Sequence, residues 1–387
     1  MELSKRITGI SPSATLTITS KAKAMKKDGI DVISFGAGEP DFDTPEYIKD
    51  AAVAAIGGGK TKYTPSIGTV ELRQAICDKL KSFNGLEYKQ ENIIVSNGAK
   101  HSLFNIFQAI CQEGDEVIIP APYWVSYTEM VKLSGAMPVI VGTNAADGFK
   151  LKADALAKAI RPKTKAIILN SPSNPTGCVY SKDELESILE VIKDKDIRVV
   201  SDEIYERLIY DGLGHTSFAS LSDRAKEMTI IVNGVSKTYS MTGWRIGYIA
   251  STDLELTKSI KNLQDHSSSN PSSISQEAAL AALSKEDDSV EKMKKEFEKR
   301  RDYMFERIGS IEKLSCVKPQ GAFYSFVDAS KVNKDSLEFA KKLLEDVQVA
   351  VIPGEGFGAP GFIRLSFATS MENIKEGLDR IEKWLRQ

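Results

Sequence analysis

VNGVSKTYSMTGWRIGY, residues 232–248, is the stretch that decides how this chain folds. It closes one apolar β-branched run, TIIVN (229–233), and enters another, IGYIA (246–250). The connection is too short for a helical crossover, so the second strand is expected to run antiparallel to the first. The same connection carries Lys237 among small polar residues, with Arg245 eight positions on. A lysine in that setting is either ordinary surface or a nucleophile.

Similar runs lie upstream: NIIVS (92–96), EVIIP (from 116), MPVIV (137–141), KAIILN (165–170) and IRVVSD (197–202). Amphipathic stretches separate most of them, such as TVELRQAICDKLKSFNG, which stops at Gly85. This alternation predicts an α/β fold. Its large domain holds a seven-stranded, mainly parallel sheet with one antiparallel strand, between helices. After residue 285 the texture changes. EDDSVEKMKKEFEKRRDYMFERIGSI reads as a long helix with a solvated charged face. GAFYSFVD, VQVAVIPG and GFIRLSFA read as short strands of a smaller α/β domain. DVISFGAGEPDF precedes the large sheet and needs a partner, so it is assigned to that smaller domain. The expected division is 1–45 (N-terminal arm and part of the small domain), 46–285 (large domain) and 286–387 (small domain).

Of the 387 residues, 42% are apolar and 27% charged, with a net charge of −2, an ordinary soluble profile. Acids and bases are mixed, which argues against a nucleic-acid stripe or a membrane-seeking face. The apolar runs are too short to span a bilayer. The N-terminal stretch lacks a signal-type apolar core. Cys77, Cys111, Cys178 and Cys316 are scattered, as are the three histidines, so no metal site is expected. Four reduced thiols in a cytoplasmic protein is the expectation.

In an open parallel sheet, ligands bind beyond the carboxyl ends of the strands. Those ends carry Gly98-Ala99-Lys100, Trp124, Asn174, Asp202 with Tyr205, and Lys237 with Arg245. Gly98 and the helix start behind it suit an anion. Arg245 can grip a phosphate with two bonds. Trp124 can stack on a flat ring. Asp202 can pair with a protonated ring nitrogen, or merely cap a helix starting at EIYERLIY. Asn174 and Tyr205 can bond a phenolic oxygen, and Lys237 can form a Schiff base with an aldehyde. Each residue has a bland alternative in core, turn or surface. Together they describe pyridoxal phosphate.

PSAT, AGEPDFDTP, KTKYTPSIGTVELRQAI, PYWVSY, NSPSNPTG, VSDEIYE, SKTYSMTGWRIGY, GAFY and IRLSFATS occur here in that order. As a set they resemble the class I aminotransferases of the pyridoxal-phosphate fold-type I superfamily, most like the bacterial-type aspartate aminotransferase subgroup. The resemblance spans nearly the whole chain. It implies pyridoxal 5'-phosphate on Lys237, with Asp202 partnering the ring nitrogen. Asn174 and Tyr205 would bond the ring oxygen, and Trp124 would stack on the ring. Gly98, Ala99, Lys100, Ser236 and Arg245 would surround the phosphate. Arg364 would bind the substrate α-carboxylate beside Gly38. Tyr63 would reach the phosphate of a neighbouring subunit, implying a homodimer with shared active sites. Lys100, with Ser13 and Thr15, would meet an acidic side chain, or Lys100 would only support the phosphate turn. Two departures stand out: Ala99 replaces a glycine of some relatives, and Ser236 is the only hydroxyl just before the lysine.

The implied reaction is ping-pong exchange of an amino group between an amino acid, aspartate first, and 2-oxoglutarate. An aromatic or prephenate aminotransferase and a pyridoxal-phosphate-dependent β-lyase are the alternatives. A regulatory protein that borrowed the fold ranks lower, since Lys237 is present. A nicotinamide-dependent dehydrogenase lacks its Gly-x-Gly-x-x-Gly turn after the 92–96 strand.

Overall fold

The computed structural model describes residues 3–11, 14–285 and 287–387; side chains are described except at 5, 6 and 14–17. A short strand β1 (Ile33–Ser34) precedes the large sheet. That sheet comprises β2 (Ile93–Ser96), β3 (Glu116–Ala121), β4 (Met137–Gly142), β5 (Thr164–Asn170), β6 (Arg198–Asp202), β7 (Thr229–Gly234) and β8 (Gly247–Ala250). Its order is β2-β8-β7-β6-β5-β3-β4. β8 runs antiparallel to both neighbours, β2 and β7, while the other pairs are parallel. The seven-stranded α/β expectation, with one reversed strand, therefore holds.

Helices cover both faces of the sheet, so β2, β7 and β8 expose no residue. The Val70–Asn84 helix has its N-cap at Thr69, whose side chain accepts from the Leu72 amide at 3.3 Å. It ends at Gly85, in the left-handed region at φ 68°, where a side chain would be strained.

A second, antiparallel sheet has the order β12-β13-β10-β9, formed by β9 (Ser315–Cys316), β10 (Tyr324–Asp328), β12 (Ile352–Pro353) and β13 (Phe362–Ser366). β11 (Val349–Ala350) pairs in parallel with β1, Ile33 opposite Val349. DVISFGAGEPDF thus finds its partner near the C-terminal strands, as its position requires.

The long charged helix, Ser289–Ser310, keeps a solvated face at Glu291, Lys292, Lys295, Lys299 and Glu306, but not all of its charges lie on that face. Arg300 and Arg301 are buried in it. Arg301 grips Asp211 with two bonds of 2.7 and 2.8 Å. Arg300 holds both oxygens of Asp41, at 2.8 and 2.9 Å, and lies over the Phe42 ring. Buried guanidinium needs such partners. The consequence is that the segment after Gly38 is clamped to this helix.

One glycine sets how closely the site's helix approaches the sheet. A Cβ on Gly247 would lie 2.2 Å from the Ala99 nitrogen, at the start of the Ala99–Ile110 helix. Gly247→Ala is expected to destabilise the chain by roughly 1–3 kcal/mol. Urea unfolding measures this, and a change below about 0.5 kcal/mol would contradict the close approach.

Candidate active site

Strand register builds the site. Asn170, Asp202 and Val232 are neighbours across β5, β6 and β7, so the chain that follows each emerges on one rim. The segments after them carry Asn174, Tyr205 and Lys237. Because β8 is reversed, the residues just before it, including Arg245, reach the same rim. The smaller sheet adds Tyr324 from β10 and Arg364 from β13.

These residues line one cavity of about 710 Å³. Gly38, Ala99, Lys100, Trp124, Asn174, Asp202, Tyr205, Ser236, Lys237, Arg245 and Arg364 all contribute to its wall. Gly98 stands directly behind it, with φ 88°, at the start of the Ala99–Ile110 helix. A Cβ there would lie 2.5 Å from an Arg245 guanidinium nitrogen, so the bare glycine is what admits that arginine. Tyr63 lies outside the wall and is 91% exposed. Ser13 and the Thr15 side chain lie outside the described residues.

Asp202 is 4% exposed at the end of β6. Its Oδ2 accepts from the Tyr127 hydroxyl at 2.7 Å, and its Oδ1 from the Ile204 amide at 3.3 Å. The segment that follows forms turns rather than a helix, which removes the helix-cap reading. Burial pushes the carboxyl up to about 6 from an ordinary 3.8, against the hydrogen bonds from Tyr127 and Ile204.

Lys237 donates to the Gly38 carbonyl. Its amine lies 5.8 Å from the Tyr205 ring centre and 5.7 Å from that of Phe323. Burial brings the ammonium down to about 8; Glu39 opposes this, and Arg364 and Arg245 add to it. An amine in that range exchanges protons near neutral pH.

Arg364 is 2% exposed. It donates to Asn174 Oδ1 at 2.9 Å and to the Gly36 carbonyl at 3.3 Å, and stacks 4.2 Å from the Tyr324 ring centre. Its Nε has no partner among the described residues. No carboxylate is bonded to this buried cation among those residues, which leaves it a ready seat for an anion.

Arg245 adopts φ 57°, a left-handed backbone uncommon for any residue but glycine. It donates to the Thr242 carbonyl at 2.8 Å. Beside it, the first turn of the Ala99–Ile110 helix leaves the Ala99 and Lys100 amides without intrahelical partners. Glycine, helix start and guanidinium together form a cradle for a phosphate-sized anion. Lys100 Nζ stands 5.0 Å above the Trp124 ring, and burial, aided by Arg245, lowers its pKa.

Sequence reasoning missed several wall residues. Tyr127 lies three positions after Trp124, one turn on, and Tyr324 closes GAFY; both sat in recognised motifs without a role. Tyr324 shares a 2.9 Å hydrogen bond with Tyr205. Thr19, Lys23 and Lys26 share one face of the Ala14–Lys27 helix at i, i+4 and i+7. Six cations (Lys23, Lys26, Lys100, Lys237, Arg245, Arg364) therefore face two carboxyls (Glu39, Asp202) in this wall. The site favours anions, several at once.

Below the rim, Glu203, Glu206 and His215 bring ligand atoms within 4.8 Å of one another. The Lys79 ammonium is already bonded to Glu206, and His215 to Glu203 at 3.1 Å. The cluster carries its own counter-charge and reads as an internal ion network.

The unliganded chain makes the Asp202 shift measurable. A raised pKa favours the folded state below about pH 4, and that contribution is lost as pH rises to about 6. Asp202→Asn does not ionise. Its stability relative to the parent is expected to be roughly 2–3 kcal/mol more favourable at pH 8 than at pH 4. Urea unfolding at the two pH values decides; an unchanged difference would contradict the shift.

With this geometry in place, comparison with known proteins is informative. The profile of the family described as "Aminotransferase class I and II" matches residues 30–381. The aspartate aminotransferase of Bacillus subtilis (strain 168) is 50% identical over the whole of both chains. A probable aspartate/prephenate aminotransferase of Aquifex aeolicus is 48% identical, covering 100% of this chain and 99% of that one. The structure of Thermus thermophilus aspartate aminotransferase with maleate superposes with a TM-score of 0.95, at 43% identity over 99% of each chain.

Proposed function

Because this chain belongs to the class I and II aminotransferases, we propose that it moves an amino group between aspartate and 2-oxoglutarate, with pyridoxal 5'-phosphate as cofactor. The observation that carries this reading is Lys237, lowered to about 8, in one cavity with buried Asp202 and the open guanidinium of Arg364. When bound, the cofactor supplies an aldehyde and an electron-withdrawing ring. The residues present fit it: Lys237 for the aldehyde, Asp202 for the ring nitrogen, Asn174 and Tyr205 for the ring oxygen. Trp124 supplies a stacking face. The cradle of Gly98, Ala99, Lys100, Ser236 and Arg245 takes the phosphate.

The chain's own residues then have distinct tasks. Arg364 takes the substrate α-carboxylate beside Gly38 and fixes which bond faces Lys237. Once the substrate amine has taken its place, the Lys237 amine would act as the base that removes the proton from the α-carbon of the amino donor, and in the other half-reaction as the acid that adds a proton to the α-carbon of the 2-oxo acid. Asp202, ionised and buried at the end of β6, would favour positive charge at the ring nitrogen. Lys100 meets the second carboxylate of a dicarboxylic substrate. A relative whose structure was solved with maleate, a dicarboxylate, supports a dicarboxylic substrate. Prephenate is also a dicarboxylate, and a relative named for aspartate and prephenate makes it the second acceptor to assay.

We further propose a homodimer in which Tyr63, so exposed in the single chain, enters the neighbouring subunit's phosphate site. The division 1–45, 46–285 and 286–387 is proposed as the unit of any closure, with the two sheets as its parts. No described helix is long and apolar enough to cross a membrane. Four unpaired cysteines fit a cytoplasmic protein.

Lys237→Ala is expected to lower turnover of aspartate with 2-oxoglutarate by roughly 10³-fold or more, while the cofactor still binds. Retained turnover would end the assignment. Arg364→Leu is expected to lower kcat/KM at least tenfold for dicarboxylic and monocarboxylic substrates alike, the loss of one charge-assisted pair. Lys100→Ala should instead discriminate, falling several-fold more on aspartate than on an aromatic amino acid. Equal losses on the two donors would return Lys100 to a supporting role.

A further inference from the structure

Tyr127 touches the site from an element that supplies no other bond to Asp202. It lies on the helix Ser126–Leu133, 75 residues before that carboxylate, and its side chain is 2% exposed. Its hydroxyl donates to Asp202 Oδ2 at 2.7 Å. The ring packs edge-on against Trp124, centres 5.3 Å apart at 84°. One tyrosine thus braces two sides of the cavity wall, the flat face and the acid.

The surroundings of Asp202 isolate this contact. The charged and titratable groups around it are Glu203 and Tyr205 on its own segment, Lys237 from the loop after β7, and Tyr127. Among the described residues, only Tyr127 gives it a side-chain hydrogen bond. Oδ1 takes the Ile204 amide, a bond fixed by the local turn. A buried carboxylate with one backbone donor is poorly compensated. A neutral donor that is itself hard to ionise supplies the second bond without adding charge; burial keeps the Tyr127 phenol far from ionising.

We propose that Tyr127 is the positioning residue for Asp202: its hydroxyl fixes the carboxylate in the cavity wall and holds it in its ionised form. The cofactor half of this proposal rests on the pyridoxal-phosphate reading above, in which a protonated ring nitrogen requires that form. Tyr127 acts through Asp202 and touches no reacting atom.

A double-mutant cycle tests it on the full-length chain freed of cofactor, with Tyr127→Phe, Asp202→Asn and the pair. Phenylalanine preserves ring and packing. The folding equilibrium constant, from urea unfolding, is expected to fall about tenfold more at pH 8 than at pH 4.5 in Tyr127→Phe. In the Asp202→Asn background this pH dependence disappears. A loss equal at both pH values, or equal in both backgrounds, reduces Tyr127 to core packing and overturns the proposal. The second measurement is equilibrium binding of pyridoxal phosphate at pH 6. Tyr127→Phe should raise Kd about tenfold in the parent and less than twofold beside Asp202→Asn. Equal effects in both backgrounds overturn the cofactor half. A parent chain that binds no pyridoxal phosphate overturns the reading of the cavity, and the cofactor-free cycle still decides the coupling of Tyr127 to Asp202.

Discussion

Withdrawal of charge from water is the constraint on which this structure turns. Asp202, Lys237 and Arg364 are an acid, an amine and a guanidinium that ordinary folding would leave solvated. Here three different elements carry them into one wall. Each is under-compensated in its own way. Among the described residues Asp202 has two neutral donors and no bonded cation, and burial raises its pKa to about 6. Lys237 has a carbonyl, and Arg364 an amide oxygen, a carbonyl and an unpartnered Nε. The stability that these placements cost is supplied by the large apolar cores on both sides of the sheet. The unmet electrostatic demand marks the cavity as the candidate functional site.

Compensation is complete where no chemistry is required. Arg301 has Asp211 and Asp302, and Arg300 has Asp41 and Glu296. In the Glu203, Glu206, His215 and Lys79 network, Lys79 is bonded to Glu206 and His215 to Glu203. The contrast separates structural ions from candidate functional ones more sharply than burial alone, since both groups are buried. Among the described residues, the cavity wall gathers six cations and two carboxyls.

Much of this was legible in the residues. β-Branched runs gave the sheet strands, and the short connection at 234–246 gave the reversed strand. Strand ends then pointed to Lys237, Asp202, Asn174 and Arg245. Ordered motifs gave Arg364, which lies in a different sheet. What stayed hidden were pairings between distant segments. Nothing near Tyr127 in the chain names Asp202 as its acceptor, and nothing near Arg300 names Asp41. A charged helix written as EKMKKEFEKRRDYMFER reads as solvated because its counter-ions are encoded elsewhere. Lys23 and Lys26 were hidden for another reason: helical spacing tells that they share a face, but not which cavity that face meets.

The reversed strand β8 has one more consequence. A parallel strand delivers a side chain at its exit and then leaves the rim through a helix. β7 and β8 instead leave and re-enter at the same rim, so Lys237 and Arg245 ride a single short span anchored at both ends. Trp244 and Ser240 tie that span to Thr44 as well. The amine and the guanidinium are therefore two fittings on one bracket, set by the same pair of strands and the same tie to Thr44.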